Sequence, residues 1–405
     1  MTAVAARTAL FTADLAGGGA ERIALRLADR LSADMPIDLV LCRLRGERLA
    51  AVPVGVRVFA LPPAGLRRSQ FAAWRADPAG LASLPYLLRH KPSPWLRHLP
   101  GLIAYLRAQR PARLLSFMTE PNLLALWAVR HLRRRPRVVI SERNHLSRQL
   151  GEFSTGRWLR LPAAVRRNYP RADAVVAVSS GVARDLADLS GLPPARICTI
   201  LNPVVGAELE SEARRPVAHA WFVPGAPPVV LAAGRLHRQK DFALLLRAFA
   251  RLPADRPARL VILGEGPQRA ALEALRERLG LRQRVDLPGW VADPAAWMAR
   301  AALFVLSSAH EGLPSVLVEA MACGCPVVST DCPSGPQDIL DHGRLGPLVA
   351  PGDAAALAQA MQARLQAPRD SATLRAAALR FAEAARVADY RRVLDGGRPA
   401  QPAAG

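Results

Sequence analysis

Three loops in the sequence carry residues whose types and spacing suit the binding of an anion. The first is the glycine run Gly17-Gly18-Gly19, which precedes a helix predicted from Ala20. Glycines let the backbone come close to a phosphate group, and the start of a helix offers unpaired N–H groups and a partial positive charge. Taken alone, a glycine run between a strand and a helix is more often a plain tight turn, so the run by itself is a weak sign of a phosphate site.

The second loop follows the apolar segment Val229–Ala233 and contains Gly234, Arg235 and Lys240. An arginine offers a bidentate fork and a lysine a mobile point charge, so this pair suits a diphosphate. Arginine is abundant in the chain, whereas only two of the 55 basic residues are lysines, Lys91 and Lys240. A lysine at a predicted strand end is therefore the more informative of the two cations.

The third loop, 308–314, joins the apolar segment Leu303–Ser307 to a predicted helix that begins at Ser315, which we expect to cap it. Glu311 lies in this loop and Glu319 one turn into the helix. A carboxylate only accepts hydrogen bonds and repels phosphate, so both glutamates are expected to meet hydroxyl groups of a sugar or ribose. The alternatives are a turn role for Glu311 and a solvated surface position for Glu319, although the apolar neighbours of Glu319 favour burial.

Short apolar segments alternate with amphipathic ones along most of the chain, which predicts alternating β-strands and α-helices. Strands that alternate with helices form parallel sheets covered by helices on both faces. The predicted fold class is therefore α/β with doubly wound parallel sheets. Such folds bind ligands at the carboxyl ends of their strands, which is where all three loops fall.

The length of 405 residues exceeds what a single hydrophobic core usually supports, and the alternation is interrupted once. The interruption, 202–228, is rich in proline and glutamate and typical of an interdomain linker. We predict an N-terminal domain at 1–205, a C-terminal domain at 206–370, a helix at 371–394 that returns to the N-terminal domain, and a disordered tail at 395–405. Residues 69–99 show no clear pattern.

Composition excludes several classes of protein. Hydrophobic residues make up 51% and charged residues 22%, as in packed globular domains. The net charge of +22 suits phosphates, anionic lipid or nucleic acid, but no nucleic-acid recognition motif accompanies it. The five cysteines form no C-x-x-C pair, so we expect neither a disulfide framework nor a zinc site. No apolar run reaches the roughly eighteen residues that suggest a membrane span, so we expect a cytoplasmic protein.

Taken in order, the motifs resemble glycosyltransferase family 4, whose architecture is called GT-B. The motifs are Gly17–Arg22, Gly234-Arg235-Leu236 with Lys240, Leu263–Pro267, the glutamates Glu311 and Glu319, and Pro326–Thr330. Ser141–Asn144 and Cys332–Pro336 are similar to a bacterial subgroup that adds N-acetylhexosamine to lipid-linked oligosaccharides. The resemblance implies two doubly wound, Rossmann-like domains that face each other.

The resemblance also implies roles for residues of the C-terminal half. Arg235 and Lys240, after Gly234, would neutralise the diphosphate of a nucleotide-sugar donor, and Glu319 would bind the ribose. Glu311 would hold the transferred sugar, together with the backbone of Gly312, Leu313 and Pro314. Gly264 belongs to a second glycine turn of the donor site, and Trp290 with Val291 would lie against the base.

In the N-terminal half, the resemblance implies that the Gly17-Gly18-Gly19 loop closes over the phosphates. His145 is the candidate for a histidine that members of the family place near the sugar. Asp338 stands where glutamate is commoner in the family. Glu311, Arg235, Lys240 and His145 are therefore the predicted catalytic residues.

The resemblance implies a retaining transfer of a hexose or N-acetylhexosamine from a nucleotide sugar, expected to be UDP-linked. The expected acceptor is a saccharide or lipid-linked saccharide in cell-envelope polysaccharide synthesis. No cofactor or metal is expected, because the sequence lacks the Asp-x-Asp pair of metal-dependent transferases. The alternatives are an epimerase or phosphorylase of the same architecture and a non-catalytic nucleotide-sugar-binding protein.

The N-terminal half also carries many arginines interleaved with Trp74, Trp95 and Leu96. Such a mixture suits docking onto anionic lipid beside a lipid-linked acceptor, at the inner face of the cytoplasmic membrane. A solvated, arginine-rich face is the alternative. The basic residues concerned are Arg67, Arg68, Arg75, Arg89, Lys91, Arg97 and Arg133-Arg134-Arg135.

Overall fold

The structure, a computed structural model, describes residues 6–16, 18–78, 93–152, 161–253 and 257–400. The chain forms two compact units. The N-terminal unit contains residues 1–203 and 385–405, and the C-terminal unit contains residues 204–384. Gly17, Arg89 and Lys91 lie outside the described residues.

The N-terminal unit is built on a seven-stranded sheet in the order β3-β2-β1-β4-β5-β6-β7, and each neighbouring pair of strands is parallel. Its strands are β1 (Thr8–Thr12), β2 (Ile37–Leu41), β3 (Arg57–Ala60), β4 (Arg113–Phe117), β5 (Arg137–Glu142), β6 (Ala174–Ala177) and β7 (Ile197–Thr199). Its helices up to residue 203 are α1 (Gly19–Ser32), α2 (Leu66–Ala76), α3 (Leu99–Gln109), α4 (Thr119–Val129), α5 (Leu146–Glu152), α6 (Leu161–Asn168) and α7 (Ser180–Ser190).

The C-terminal unit repeats this plan with a six-stranded parallel sheet in the order β10-β9-β8-β11-β12-β13. Its strands are β8 (Val229–Ala233), β9 (Arg259–Leu263), β10 (Val285–Gly289), β11 (Leu303–Leu306), β12 (Val327–Thr330) and β13 (Leu348–Val349). Its helices are α8 (Ala207–Arg214), α9 (Phe242–Phe249), α10 (Arg269–Arg278), α11 (Pro294–Arg300), α12 (Ser315–Ala322), α13 (Pro336–Leu340), α14 (Ala354–Gln366) and α15 (Ser371–Ala378).

The central strands are buried along their whole length because helices cover both faces of each sheet. Every residue of β1, β2 and β8 is buried. In α1, the predicted apolar face of Ile23, Leu27 and Leu31 is buried against the N-terminal sheet. Two doubly wound parallel sheets are the predicted fold class, which is confirmed.

Each sheet has a point at which the order of its strands reverses. In the N-terminal unit this point lies between β1 and β4, and in the C-terminal unit it lies between β8 and β11. The chain leaves these paired strands in opposite directions, which opens a crevice at their carboxyl ends, and doubly wound proteins bind ligands in that crevice. The loops that follow β1, β4, β8 and β11 are therefore the expected ligand-binding loops of the two units.

The predicted linker at 202–228 is wrong from residue 204 onward, because this part of the segment packs in the C-terminal unit. Its helix α8 lies against α11. Further along, the imidazole Nε2 of His219 lies 3.0 Å from a carboxylate oxygen of Asp286, and its ring stacks edge-on against Trp221. Proline and glutamate frequency indicated a linker, but the segment is anchored by aromatic contacts.

The predicted helix at 371–394 is two helices separated by a 3₁₀ turn at Leu379–Phe381. The first, α15, packs against α12 of the C-terminal unit. The second is α16 (Glu383–Leu394), which buries Tyr390 and Val393 in the core of the N-terminal unit.

The start of the predicted disordered tail is instead held in place. Asp395 pairs with Arg113 at 2.6 Å, and the backbone N–H of Ala400 donates to Asp389 at 2.9 Å. The prediction of disorder is therefore wrong for 395–400, because ion pairs and backbone hydrogen bonds compensate for the glycine- and proline-rich composition. Residues 401–405 lie outside the part of the chain that is described.

Glu142, the last residue of β5, has a buried side chain. Glu142 is 1% exposed, and one of its oxygens accepts hydrogen bonds from the hydroxyls of Thr119 at 3.0 Å and Tyr169 at 2.9 Å. The other oxygen accepts from the backbone N–H of Arg143 at 3.2 Å. Burial raises the pKa of Glu142 from 4.5 to about 7 in spite of these three bonds.

This pKa predicts a pH-dependent stability. The folded state binds the Glu142 proton more tightly than the unfolded state does. The protonated side chain therefore contributes its full share to the free energy of unfolding below pH 4.5, and this contribution is lost as the pH rises through about 7. Glu142→Gln should therefore raise the free energy of unfolding at pH 8 by roughly 2–3 kcal/mol and change it little at pH 4.5. Urea titrations at both pH values measure this, with the half-exposed Glu273→Gln as control. An equal effect of Glu142→Gln at both pH values would contradict it.

Candidate active site

The strand reversal of the C-terminal unit brings two of the three predicted loops together. Leu303 and Phe304 of β11 pair with Val230 and Leu231 of β8. The loop after β8 carries Arg235 and Lys240, and the loop after β11 carries Glu311, so these residues leave the sheet at the same edge. This edge is the place where a doubly wound domain holds a ligand.

The central contact of this edge joins Lys240 to Glu311. The ammonium Nζ of Lys240 lies 2.6 Å from Oε1 of Glu311, and the hydroxyl of Ser308 donates to the same oxygen at 2.7 Å. The side chains of Lys240 and Glu311 are 19% and 8% exposed. An ammonium group has three N–H donors, so Lys240 can keep this contact and still offer donors to a ligand.

Backbone and side-chain hydrogen bonds join the same two loops on either side of this pair. The hydroxyl of Ser307 donates to the carbonyl of Lys240 at 2.8 Å, and the N–H of Ala309 donates to the carbonyl of Gln239 at 2.8 Å. The side-chain amide of Gln239 donates to the carbonyl of His310 at 3.0 Å. The position of Lys240 relative to Glu311 is therefore fixed by the backbone as well as by charge.

Sequence reasoning missed Gln239, Ser307 and Ser308. Ser307 and Gln239 donate to backbone carbonyls of residues about seventy positions away in the chain, and Ser308 donates to the side chain of Glu311. Residue type alone gave little indication of these contacts. The one available signal was Ser308, which precedes Glu311 by three residues in a loop and so can reach its carboxylate.

Arg235 lies two residues after the end of β8, in the loop that carries Lys240, and its side chain is exposed. Within the described ranges, no ion pair or side-chain hydrogen bond involves its guanidinium. The carboxyl edge of β8 thus carries two cations: Lys240, which is paired with Glu311, and the exposed Arg235. The geometry therefore suits an anionic ligand at the carboxyl end of β8.

Glycine is required where β8 and β9 end. Gly264 has φ +134°, and a Cβ atom there would lie 2.0 Å from the carbonyl oxygen of Gly234. The N–H of Gly234 donates to the carbonyl of Leu263, and that of Gly264 donates to the carbonyl of Gly289. No side chain fits between these strand ends, so glycine at position 264 is what allows the turns after β8 and β9 to pack this closely.

Trp290 and Val291 follow directly after β10. The indole of Trp290 is 61% exposed, and Val291 is half-buried. A large exposed aromatic ring at the carboxyl edge of a sheet offers a flat apolar surface to a ligand.

Glu319 lies in α12 and is 2% exposed between the buried residues Val318 and Ala320. The expected burial is confirmed, and the solvated alternative is excluded. The expected cap is wrong: Ser315 is the first residue of α12, and Pro314 occupies the capping position without a side-chain bond. Ser315 accordingly belongs to the first turn of the helix and is not its cap.

A neighbouring loop supports the stretch from Glu311 to Pro314. The carbonyl of Pro333 accepts a hydrogen bond from the N–H of Glu311 at 3.1 Å. Gly335 has φ +93°, and a Cβ atom there would lie 2.5 Å from Cδ of Pro314. Gly312, Leu313 and Pro314 are accordingly buried. Asp338 lies in the first turn of α13 and is half-buried.

Three cysteines of the C-terminal unit are buried. Cys332 follows β12 at this edge, whereas Cys323 and Cys325 precede β12 at the opposite edge of the sheet. Burial raises the pKa of Cys323 and Cys325 to about 12 and that of Cys332 further, so the thiols stay protonated. A protonated thiol is neither a nucleophile nor a metal ligand. Over the described ranges, no three His, Cys, Asp or Glu side chains are grouped as metal ligands.

The remaining predicted site residues belong to the N-terminal unit. Gly18 precedes α1 and Gly19 begins it, as the glycine-turn pattern predicts. His145 follows β5, and its Nδ1 lies 3.3 Å from a carboxylate oxygen of Asp185 on α7. The other oxygen of Asp185 accepts from the N–H of Ser147 at 3.2 Å.

Two family models match the chain. The model described as Glycosyltransferase Family 4 matches residues 17–205, and the model described as Glycosyl transferases group 1 matches residues 227–367. The two matches cover both units in order. The chain belongs to the family-4 glycosyltransferases.

Two curated relatives of this glycosyltransferase are themselves named as glycosyltransferases. An N-acetylgalactosamine-N,N'-diacetylbacillosaminyl-diphospho-undecaprenol 4-alpha-N-acetylgalactosaminyltransferase of Campylobacter jejuni is 30% identical over 259 residues, which is 62% of this chain and 66% of that protein. The lipopolysaccharide core biosynthesis glycosyltransferase LpsE of Rhizobium meliloti is 32% identical over 244 residues, which is 60% of this chain and 65% of that protein. The chain thus spans slightly less than two thirds of the length of these two relatives.

Solved structures agree on the fold. The crystal structure of Anabaena HepE in complex with UDP-glucose matches with a TM-score of 0.74 at 20% identity, over 96% of this chain and 99% of that one. The GT-B architecture implied by the motifs is thereby confirmed. None of the described helices combines the length and apolar character needed to cross a bilayer.

Proposed function

We propose that this family-4 glycosyltransferase is a retaining, metal-independent enzyme. It transfers a hexose or N-acetylhexosamine from a UDP-sugar to a saccharide or lipid-linked saccharide in cell-envelope polysaccharide assembly. The observation that carries the proposal is the Lys240–Glu311 pair, which sets a cation and a carboxylate side by side at the strand reversal of the C-terminal unit. A nucleotide sugar presents the matching groups, a diphosphate next to a ring of hydroxyls.

The donor diphosphate would take the remaining N–H donors of Lys240 and the exposed guanidinium of Arg235. Departure of the nucleotide leaves negative charge on its terminal phosphate, and fixed cations stabilise that charge in the transition state. Two side-chain cations supply what a bound divalent metal supplies in other transferases, which is why we propose a metal-independent reaction.

The sugar would lie against Glu311, whose carboxylate accepts hydrogen bonds from hydroxyls, and the ribose against Glu319. In the transfer, the bond between the sugar C1 and the phosphate oxygen breaks while C1 bonds to the acceptor oxygen on the same face. The acceptor hydroxyl gives its proton to the departing phosphate. Same-face attack retains the anomeric configuration and needs no covalent bond to the protein.

The names of similar proteins support the sugar chemistry. HepE crystallises in complex with UDP-glucose, and the relative from Campylobacter jejuni is named for transfer of N-acetylgalactosamine to a diphospho-undecaprenol-linked saccharide. We carry over from these the nucleotide and the class of acceptor, and we leave the choice of sugar open to experiment.

Slow hydrolysis of donors in the absence of acceptor tests the proposal directly. Across a panel of nucleotide sugars, we expect UDP-hexoses to be hydrolysed at a rate that EDTA does not change. Lys240→Ala should reduce this rate about a hundred- to a thousandfold, the usual effect of removing one stabiliser of developing charge. Lys240→Arg should also be impaired, because a planar fork does not fit the site of a compact ammonium beside Glu311.

Each outcome has a distinct meaning. UDP binding without hydrolysis or transfer would favour a non-catalytic nucleotide-sugar-binding protein. Formation of an isomeric nucleotide sugar would favour an epimerase, and release of a sugar phosphate in the presence of inorganic phosphate would favour a phosphorylase. Unaltered rates in both Lys240 variants would remove this residue from the mechanism.

The two glutamates should differ in kinetics. The ribose does not change during transfer, so the contact with Glu319 is equally strong in ground and transition states, and Glu319→Gln should weaken binding of UDP. The sugar changes charge and shape, so Glu311→Gln should leave UDP binding nearly intact and slow transfer. Calorimetric titration with UDP and single-turnover transfer measure the two effects. Loss of UDP binding in Glu311→Gln alone would show that the roles are reversed.

We also propose that helix α2 docks the enzyme on an anionic membrane. One face of α2 buries Ser69, Ala73 and Ala76. The other face exposes apolar side chains, and the rings of Phe71 and Trp74 lie 5.7 Å apart between centroids. The exposed residues of α2 are Leu66, Arg67, Arg68, Phe71, Trp74 and Arg75. Two other residues expected at this surface do not contribute, because Leu96 is 1% exposed and Trp95 is half-buried.

Flotation with vesicles tests the membrane contact. The chain should bind vesicles rich in phosphatidylglycerol, and the binding should weaken with salt because part of it is electrostatic. Replacing both Phe71 and Trp74 by serine should reduce binding about tenfold or more, since both apolar rings enter the interface. Leu379→Ser, at a residue 62% exposed in the C-terminal unit, is the matched control. Equal binding to neutral vesicles, or an equal loss in the control, would contradict the proposal.

A further inference from the structure

The two oxygens of the Glu311 carboxylate have different surroundings. Oε1 accepts from the ammonium Nζ of Lys240 at 2.6 Å and from the hydroxyl of Ser308 at 2.7 Å. Oε2 accepts no hydrogen bond from the residues that the structure describes, and the protein does not fully enclose it. Oε2 is therefore the oxygen that a sugar hydroxyl can reach.

Lys240 alone would not decide which oxygen of Glu311 it takes. The two oxygens of a carboxylate are chemically equivalent, and a single ammonium group can bind either one or lie between both. A second donor at one oxygen removes this freedom, because the carboxylate keeps both hydrogen bonds in one orientation only. The hydroxyl of Ser308 is this second donor.

Ser308 is itself held in place by the neighbouring strand. It is fully buried, and its carbonyl accepts from the hydroxyl of Thr330 at 2.6 Å. Thr330 is the last residue of β12, which adjoins β11 in the sheet. The backbone N–H of Glu311 donates to the carbonyl of Pro333, in the loop after β12. Both ends of the bond from Ser308 to Glu311 are thus anchored to one strand end, so this bond is in place before a ligand binds.

We propose that Ser308 is a positioning residue of the transfer reaction. Its hydrogen bond holds Oε1 of Glu311 on the side of Lys240 and so keeps Oε2 turned towards the transferred sugar. Ser308 touches neither sugar nor nucleotide, because it is fully buried. The inference rests on the proposed transferase function, in which Glu311 holds the sugar.

Loss of the Ser308 hydroxyl should slow transfer and spare nucleotide binding. In Ser308→Ala the carboxylate of Glu311 is free to rotate and to share both of its oxygens with Lys240, so the sugar loses part of its acceptor. We expect single-turnover transfer to slow about tenfold or more, as for the loss of a hydrogen bond to a charged group. The affinity for UDP, measured by calorimetry, should stay close to that of the wild-type protein, because UDP carries no sugar for Glu311 to hold.

Two conservative variants separate the hydrogen bond from the space that the side chain fills. Ser308→Thr keeps the hydroxyl and should keep most of the transfer rate. Ser308→Cys keeps the shape but offers only a weak donor, so it should be as slow as Ser308→Ala. If the added methyl group of the threonine variant prevents folding, the cysteine and alanine variants decide.

A matched control and a double-mutant cycle test whether Ser308 acts through Glu311. Ser329 is also fully buried, and its hydroxyl donates to the carbonyl of Thr330 at 2.8 Å, so Ser329→Ala is the same change without a contact to the carboxylate. It should leave transfer and UDP binding unaltered. Once Glu311→Ala has removed the carboxylate, Ser308 has no group to orient, so Ser308→Ala should slow transfer no further in that background. Single turnovers with radiolabelled donor measure these slow rates.

The outcomes separate this inference from the proposed function. Normal transfer by Ser308→Ala, beside slow transfer by Glu311→Gln, would overturn the inference and leave the transferase intact. Multiplied losses in the double variant, or weakened UDP binding in Ser308→Ala, would also overturn it, because Ser308 would then support the loop as a whole. A wild-type chain that transfers no sugar from any nucleotide sugar would overturn the proposed function, and this inference with it.

Discussion

The contact between Lys240 and Glu311 organises the C-terminal unit at its ligand-binding edge. These residues are 71 positions apart in the chain and meet because β8 and β11 are neighbours in the sheet. A half-buried ammonium and a nearly buried carboxylate are tolerable together, whereas either one alone would carry the cost of an unpaired buried charge. The hydrogen bonds from Ser307 and Ser308 and those of Gln239 all support this contact, so the two loops form one surface.

The pair also resolves an electrostatic conflict in the proposed reaction. A carboxylate is well suited to hold sugar hydroxyls, but it would repel a neighbouring diphosphate. With Lys240 bonded to one oxygen of Glu311, the local charge is balanced before any ligand arrives. Arg235, exposed at the same strand end, then adds net positive charge. The surface can therefore hold a neutral ring and an anion side by side, which is the combination that a nucleotide sugar requires.

Much of the fold followed from sequence because buried parallel strands are largely apolar. Val229–Ala233 and Leu303–Leu306 are recognisable as strands, and the loops after them are recognisable as ligand loops by their position. Local spacing does not report which loops meet in space, so the bond from Lys240 to Glu311 was not predicted although both residues were. Composition misled at 202–228 and 395–400, where aromatic contacts and ion pairs anchor segments rich in proline or glycine. The assignments of His145 and of the glycine loop stay predictions.

The rarity of lysine allows a direct measurement of the central claim. Only Lys91 and Lys240 would appear in the spectrum of protein labelled with ¹³C at lysine Cε, and Lys240→Arg assigns the two signals. If Lys240 binds the donor diphosphate while it remains paired with Glu311, titration with UDP should shift its signal to saturation and leave that of Lys91 in place. Uridine, which lacks the diphosphate, should shift neither signal. A Lys240 signal that stays unchanged at saturating UDP would contradict the account.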